Sequence, residues 1–258
     1  MSLWSFEHLI TVPATFAVFL IFAYLLRRLL INKPYELRML PIKIISAIIV
    51  IIEIGKQIYS ASIGYDLYHL PLHFCSIFLY ALPLMAFYRG RWESAVRSTA
   101  CAAMTALLIG MLIIPNVIYD ANRILTFFTD YLAFHTVVFH NLVILAFILT
   151  LFLDLHQPQA NRSEALFVGV FGAVFVAVSA TASHVLQTNF SNFLSSTIGI
   201  VADLVDKVKE AIGSGVTNVL YTVIISALHV ALLVGTYYLY GLIRKLSARV
   251  FKKSVSEK

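Results

Sequence analysis

The chain has 258 residues, of which 60% are hydrophobic and only 12% charged, with a mean hydropathy of +0.87 and a formal net charge of +6. That balance excludes a soluble globule and describes a polytopic membrane protein. The basic excess does not indicate a nucleic-acid partner, because Lys and Arg stand at the ends of apolar runs and are not gathered with aromatic residues on one surface.

The N-terminus has no basic n-region and no small-residue cleavage site, so the first span is expected to double as the targeting signal. Seven runs approach the ~20 residues that the bilayer core requires: roughly 12–30, 40–60, 70–88, 95–114, 131–153, 165–185 and 218–243. They predict an all-α membrane bundle, a single integral domain over 1–258, in a bacterial plasma membrane. With the 30–40 loop inside, fifteen of the nineteen Lys and Arg residues fall on the inner side, and Lys56, Arg123, Lys207 and Lys209 remain outside. This bias predicts the N-terminus out and the C-terminus in.

The second run ends Ile52-Glu53-Ile54-Gly55-Lys56-Gln57-Ile58-Tyr59, which sets Glu53 and Lys56 one turn apart as an i,i+3 pair. Such a pair either locks helices together or supplies a carboxylate that orients a neighbouring His. The third run opens with Tyr68-His69-Leu70-Pro71-Leu72-His73-Phe74-Cys75, two imidazoles and a thiol in an apolar stretch. Groups of this kind at membrane depth face a protein interior or a wet cavity. On a regular helix His69 and His73 share one face, while Cys75 lies ~200° round from His73. A base for Cys75 is then expected from another helix, unless Pro71 leaves the first turn irregular.

The fourth run carries Ala95, Ser98, Ala102, Ala103, Ala106 and Gly110 and reads as a close-packing helix, with Cys101 as a small core residue. Both cysteines are expected as free thiols. The fifth run enters with His135 and His140. Counting ~1.5 Å per residue from the outer ends, Cys75, His135, His140 and Glu53 fall at similar depths. His184, near the outer end of the sixth run, is a further candidate, whereas His8, His156 and His229 are placed outside the cluster. The polar loop from His156 to Ser163 reads as a connector. From Ser191 to Gly213, Ile198, Val201, Val205, Val208 and Ile212 recur at helical spacing opposite Asp203, Asp206, Lys207 and Glu210, which predicts an interfacial helix. The basic tail from Arg244 to Lys253 suits anionic headgroups.

The stretches Glu53 to Tyr59 and Leu70-Pro71-Leu72-His73-Phe74-Cys75-Ser76, followed by a His-bearing fifth span, resemble the bacterial YwaF-like integral membrane proteins, related to the eukaryotic transmembrane protein 164 family. The eukaryotic relatives are regarded as acyltransferases that move a fatty acyl chain between phospholipids through a Cys nucleophile with a His partner. A more distant set of membrane hydrolases for fatty-acid esters shares the layout with a Thr nucleophile. The resemblance implies Cys75 as nucleophile and His140, followed by Asn141, as its partner, with His135 as the alternative.

The candidate catalytic set is therefore Cys75, His140, His135, His73 and Glu53, supported by Lys56, Gln57, His69, Asn141 and His184. In covalent acyl transfer an imidazole takes the thiol proton and returns it to the leaving lipid hydroxyl, while a further group orients the ring or stabilises the oxyanion. The partners are then membrane phospholipids or fatty-acyl esters, with no cofactor and no metal. A different class, a transporter or binding protein, would use the Glu53, Lys56 and His cluster to hold a small molecule or relay protons. A metal on His69, His73 and His140 is a third reading, without an HExxH-type motif to back it.

Overall fold

The computed structural model describes residues 6–256, and every regular element among them is helical. Residues 1–5, which bear on the targeting signal, and Glu257 and Lys258 lie outside them. The helices are α1 (Phe6–Leu30), α2 (Tyr35–Ser62), α3 (Phe78–Phe87), α4 (Glu93–Ile113), the short α5 (Asn116–Tyr119) and α6 (Ala121–Leu125), α7 (Tyr131–Phe152), α8 (Arg162–Leu186), α9 (Gly199–Ile212) and α10 (Ser214–Ser256). Five of them, α1, α4, α7, α8 and α10, carry a stretch long and apolar enough to cross a membrane. At ~1.5 Å per residue α2 also has the length, but Glu36, Arg38, Lys43, Glu53 and Lys56 dilute its hydropathy.

The bundle is organised on α4, which packs against α3, α7, α8 and α10. Its Ala95, Ser98, Ala102, Ala103 and Ala106 are all buried, as close backbone approach demands where lipid supplies no hydrophobic drive between helices. Cys101 is fully buried among them, and Gly110 of the same stripe is exposed. Thr99 and Thr105 donate their hydroxyls to the Ala95 and Cys101 carbonyls at 2.9 and 2.8 Å, so the small-residue face carries no orphaned hydroxyl there. On the other side, α7 packs against α1, α2 and α4.

α1 and α2 begin earlier than the apolar runs, at Phe6 and Tyr35, and three further elements differ more from the sequence reading. The third run does not form a helix over 70–88: α3 begins at Phe78, preceded by two short 3₁₀ turns, Leu67–His69 and Phe74–Ile77, joined through extended Leu70 (φ −58°, ψ 143°) and His73 (φ −71°, ψ 153°). Pro71 accounts for the extended Leu70, since it has no amide hydrogen to donate and disfavours the helical region for the residue before it; the second break, at His73, lies downstream of that effect. The interfacial helix starts at Gly199 rather than Ser191, because Phe190 and Phe193, 0% and 1% exposed, anchor the preceding loop in the bundle. The predicted alternation persists in α9, none of whose residues is buried. The last helix overruns 218–243 at both ends, since helical hydrogen bonding continues past the apolar window.

At the end of α7 and the start of the loop that reads as a plain connector, the carbonyls from Phe152 to His156 are all held by side chains of other helices. Arg38 donates to Leu153 O at 3.0 Å, Tyr35 to Leu155 O at 3.1 Å, and Tyr240 and Arg244 to His156 O at 3.0 and 3.2 Å. Arg27 donates to Phe152 O, and Arg244 pairs with Asp154. Buried Glu164 accepts from Ser94 at 2.6 Å and from Tyr237 and the Gln159 amide at 2.8 Å. No local motif marks this knot because its donors come from α1, α2, α4 and α10.

His156, 7% exposed and 2.7 Å from the Ser98 hydroxyl, has its pKa lowered by burial from 6.5 to about 4. The ring carries no penalty above pH ~6.5; stability falls as pH drops from there to about 4, where the native ring also takes up its proton. Thermal melts between about pH 4 and 7 should show this slope in the wild type and a flatter one in His156→Gln.

Candidate active site

Between α2, the 66–77 segment and the first half of α7 lies a cavity of ≈ 410 Å³. Its wall brings together all five candidate catalytic residues, Cys75, His140, His135, His73 and Glu53, with Lys56 and His69 of the supporting set. The depth count along separate helices thus converges on one space.

Glu53, 7% exposed, is the most heavily contacted group. Lys56 Nζ approaches Oε1 at 2.7 Å, Gln57 Nε2 donates to Oε1 at 2.7 Å, and His135 Nε2 lies 2.8 Å from Oε2. The last contact is short but poorly aligned for a hydrogen bond, so its character is that of an ion pair whenever the ring is protonated. The register that brings His135 here depends on Gly55. A Cβ at Gly55 would sit 2.2 Å from the Tyr131 hydroxyl, which instead reaches over the glycine to the Ile52 carbonyl at 3.1 Å. Tyr131 and His135 are i,i+4 neighbours, so docking the first carries the second onto Glu53.

His140 stands apart from the other imidazoles. Its Nδ1 lies 2.7 Å from the Thr136 carbonyl, which can only accept, so Nδ1 carries the proton and Nε2 the lone pair. That Nε2 is buried and has no hydrogen-bond partner. The Phe139 ring separates the two imidazoles of α7, stacked on His135 at 5.3 Å and edge-on to His140 at 5.4 Å between centroids.

The third-run residues reach the same wall by a different route from the shared helical face of the sequence reading. His69 Nδ1 is hydrogen-bonded to Ser60, and its carbonyl accepts from Gln57 at 2.8 Å. His73 donates from Nε2 to the Tyr68 carbonyl at 3.0 Å, and its Nδ1 faces the Ser191 amide at 3.5 Å. Both its nitrogens are occupied. Cys75 is a free thiol on the cavity wall, and among the described residues no hydrogen bond joins it to an imidazole.

Two supporting residues lie elsewhere. Asn141 follows His140 by ~100° of helix rotation and turns away from the cavity. It accepts from Tyr119 at 2.6 Å, donates to Val137 O at 2.8 Å and lines a separate apolar pocket of ≈ 610 Å³ between α1 and α7. His184 is exposed and hydrogen-bonded to Thr222 at 2.8 Å, between α8 and α10. Among the described residues no three His, Cys, Asp or Glu side chains are placed to share a metal ion. Sequence reasoning missed Ser60, Tyr131 and Ser191, whose roles exist only through partners on other elements.

Removing Glu53 alone leaves Lys56 buried without its anion, which costs about 3 kcal/mol or more. Thermal melts should therefore show Glu53→Ala strongly destabilised, with the double variant Glu53→Gln/Lys56→Gln recovering most of the loss. Equal damage in the single and double variants would show that the uncompensated Lys56 charge is not the source of the loss.

Comparison with known proteins adds one finding. The profile of the TMEM164 family matches residues 3–240, nearly the whole chain. No curated protein and no solved structure matches it. With its apolar helical bundle and that match across both the broken third run and the His-bearing α7, the chain belongs to the TMEM164 family of membrane proteins.

Proposed function

We propose that this protein is a membrane-embedded acyltransferase or acyl-ester hydrolase in which Cys75 is the nucleophile and His140 the base. One observation carries the reading: the lone-pair nitrogen of His140 is buried, unpartnered and on the same cavity wall as the only partly exposed thiol among the described residues. The chain crosses a bacterial plasma membrane seven times with its N-terminus out, so the cavity lies in the outer half, where the ester carbonyls of phospholipids sit just below the headgroups. The placement of Arg27, Arg38 and Arg244 in the knot at the other ends of their helices supports this orientation.

In the reaction Nε2 of His140 takes the Cys75 proton, and the thiolate adds to the ester carbonyl. The C–O bond of the ester breaks, and the departing alkoxide receives the proton back from the imidazolium. A thioester on Cys75 remains. A lipid hydroxyl or water, deprotonated by His140, then attacks it and restores the thiol. Glu53 serves this chemistry at a distance by holding α7 on α2 through His135, since its oxygens are taken by Lys56, Gln57 and His135.

A transport or binding role is favoured by one specific feature, the Glu53, Lys56 and His135 cluster facing a cavity beside a broken crossing. Intact mass spectrometry of protein purified with native lipids separates the two. A fatty-acyl adduct removed by neutral hydroxylamine is expected in wild type and in Cys101→Ala, absent as such from Cys75→Ser, and formed about 100-fold more slowly in His140→Ala. If no lipid class yields the adduct, the acyl reading fails and the charged cluster points to transport.

A further inference from the structure

The loop between α8 and α9 reaches across the bundle to the nucleophile's own turn. After α8 ends in left-handed Gln187 (φ 51°), the chain passes through Ser191 (φ 49°) and Asn192 (φ 65°), two consecutive non-glycine residues in the left-handed region. Such a pair persists only where its surroundings over-determine it, and strained backbone of this kind gathers at functional sites. Here the surroundings do so. Phe190 and Phe193 are buried, Tyr221 donates to Asn192 O at 2.7 Å, Thr222 to Phe193 O at 3.2 Å, and Asn189 Oδ1 accepts the Leu194 and Ser195 amides at 3.0 and 3.3 Å.

What this scaffold presents is Ser191. Its Oγ accepts the Phe74 amide, and its own amide points at His73 Nδ1 at 3.5 Å, while the Phe190 ring meets the His73 ring edge-on at 5.4 Å between centroids. The Phe74 amide opens a 3₁₀ turn and has no acceptor within it, so the acceptor must come from outside. His73 is fixed from the other side by its bond to the Tyr68 carbonyl. The two residues immediately before Cys75 are thus both tied to one serine, which is itself held by α8 and α10.

We propose that Ser191 is a positioning residue for Cys75: it fixes the backbone of the Phe74–Ile77 turn so that the thiol stays on the cavity wall in reach of an ester carbonyl. This rests on the acyl-transfer reading for its consequence, but the clamp itself is a statement about the Phe74 amide. The variant that isolates it is Ser191→Gly, because glycine loses the acceptor while adopting the positive φ more easily than serine, so the loop is not unfolded by the change. Ser191→Asn is the rescue variant, since asparagine tolerates the left-handed region and retains a side-chain oxygen.

The test uses the full chain in phospholipid nanodiscs, with hydrogen–deuterium exchange of the peptide containing Phe74, the rate of hydroxylamine-labile acyl adduct formation, and a thermal melt. In Ser191→Gly the Phe74 peptide is expected to exchange about tenfold faster and the adduct to form about tenfold more slowly or worse, with the melting temperature unchanged or raised. Ser191→Asn should recover much of both. A general structural role would not lower acylation while leaving stability intact. Unchanged exchange in Ser191→Gly overturns the clamp, and faster exchange with an undiminished acylation rate overturns its positioning role. Should the wild type form no adduct at all, it is the acyl-transfer reading that falls, and the exchange rates still decide whether Ser191 holds the Phe74 amide.

Discussion

The third apolar run leaves the helical path at Leu70 and again at His73, so that Cys75 sits in a short 3₁₀ turn ahead of α3, and much of the cavity follows from that. A backbone that leaves the helix inside a membrane must have its N–H and C=O groups satisfied by protein, because lipid offers no partner. Here the debts are met one at a time. Asp66 accepts the Tyr68 amide at 2.8 Å, Gln57 serves the His69 carbonyl, His73 serves the Tyr68 carbonyl, and Ser191 accepts the Phe74 amide. The Ser76 amide returns to His73 O at 2.8 Å. A continuous helix would have satisfied these groups internally, but it would have turned His73 and Cys75 to opposite sides. The break lets both line one cavity.

Polar knots at two levels hold the helices in register, with apolar packing between them. At Glu53, the His135 contact fixes α2 against α7 while Lys56 and Gln57 of α2 occupy the other oxygen; around Glu164 and His156, residues of α2, α4 and α10 gather the 153–161 loop. Lipid supplies no hydrophobic drive between helices, so directional contacts add to close packing in setting the rotation and depth of each helix. Buried charges do this at a stability cost unless every oxygen and nitrogen is occupied. Glu164, with three donors on its two oxygens, meets that condition.

The histidines of the cavity differ because their neighbours fix different protonation sites. Carbonyl acceptors place the proton on Nδ1 of His140 and on Nε2 of His73. His73 then meets an amide with its second nitrogen, His69 meets Ser60, and His135 meets Glu53. Only His140 combines a bare, buried nitrogen with a position on the cavity wall and no carboxylate beside it. This division, rather than the number of imidazoles, singles out the base in the proposed chemistry.

The sequence by itself determined the class of the molecule and most of its helices, because apolar runs of bilayer length and small-residue stripes express local and solvent-driven forces that act along one segment. It also determined the i,i+3 pairing of Glu53 and Lys56, which one helix suffices to build. Common depth along separate helices was enough to place Cys75, His135, His140 and Glu53 together. What it could not express was rotation and cross-bundle contact. Asn141 leaves the cavity by one residue's turn, His184 finds Thr222, and the connector after α7 becomes a buried knot through donors that lie far away in the chain. The reach of Ser191 to Phe74, 117 residues apart, was likewise decided by tertiary structure alone, since a serine in a polar loop carries no local signal of the amide it will meet.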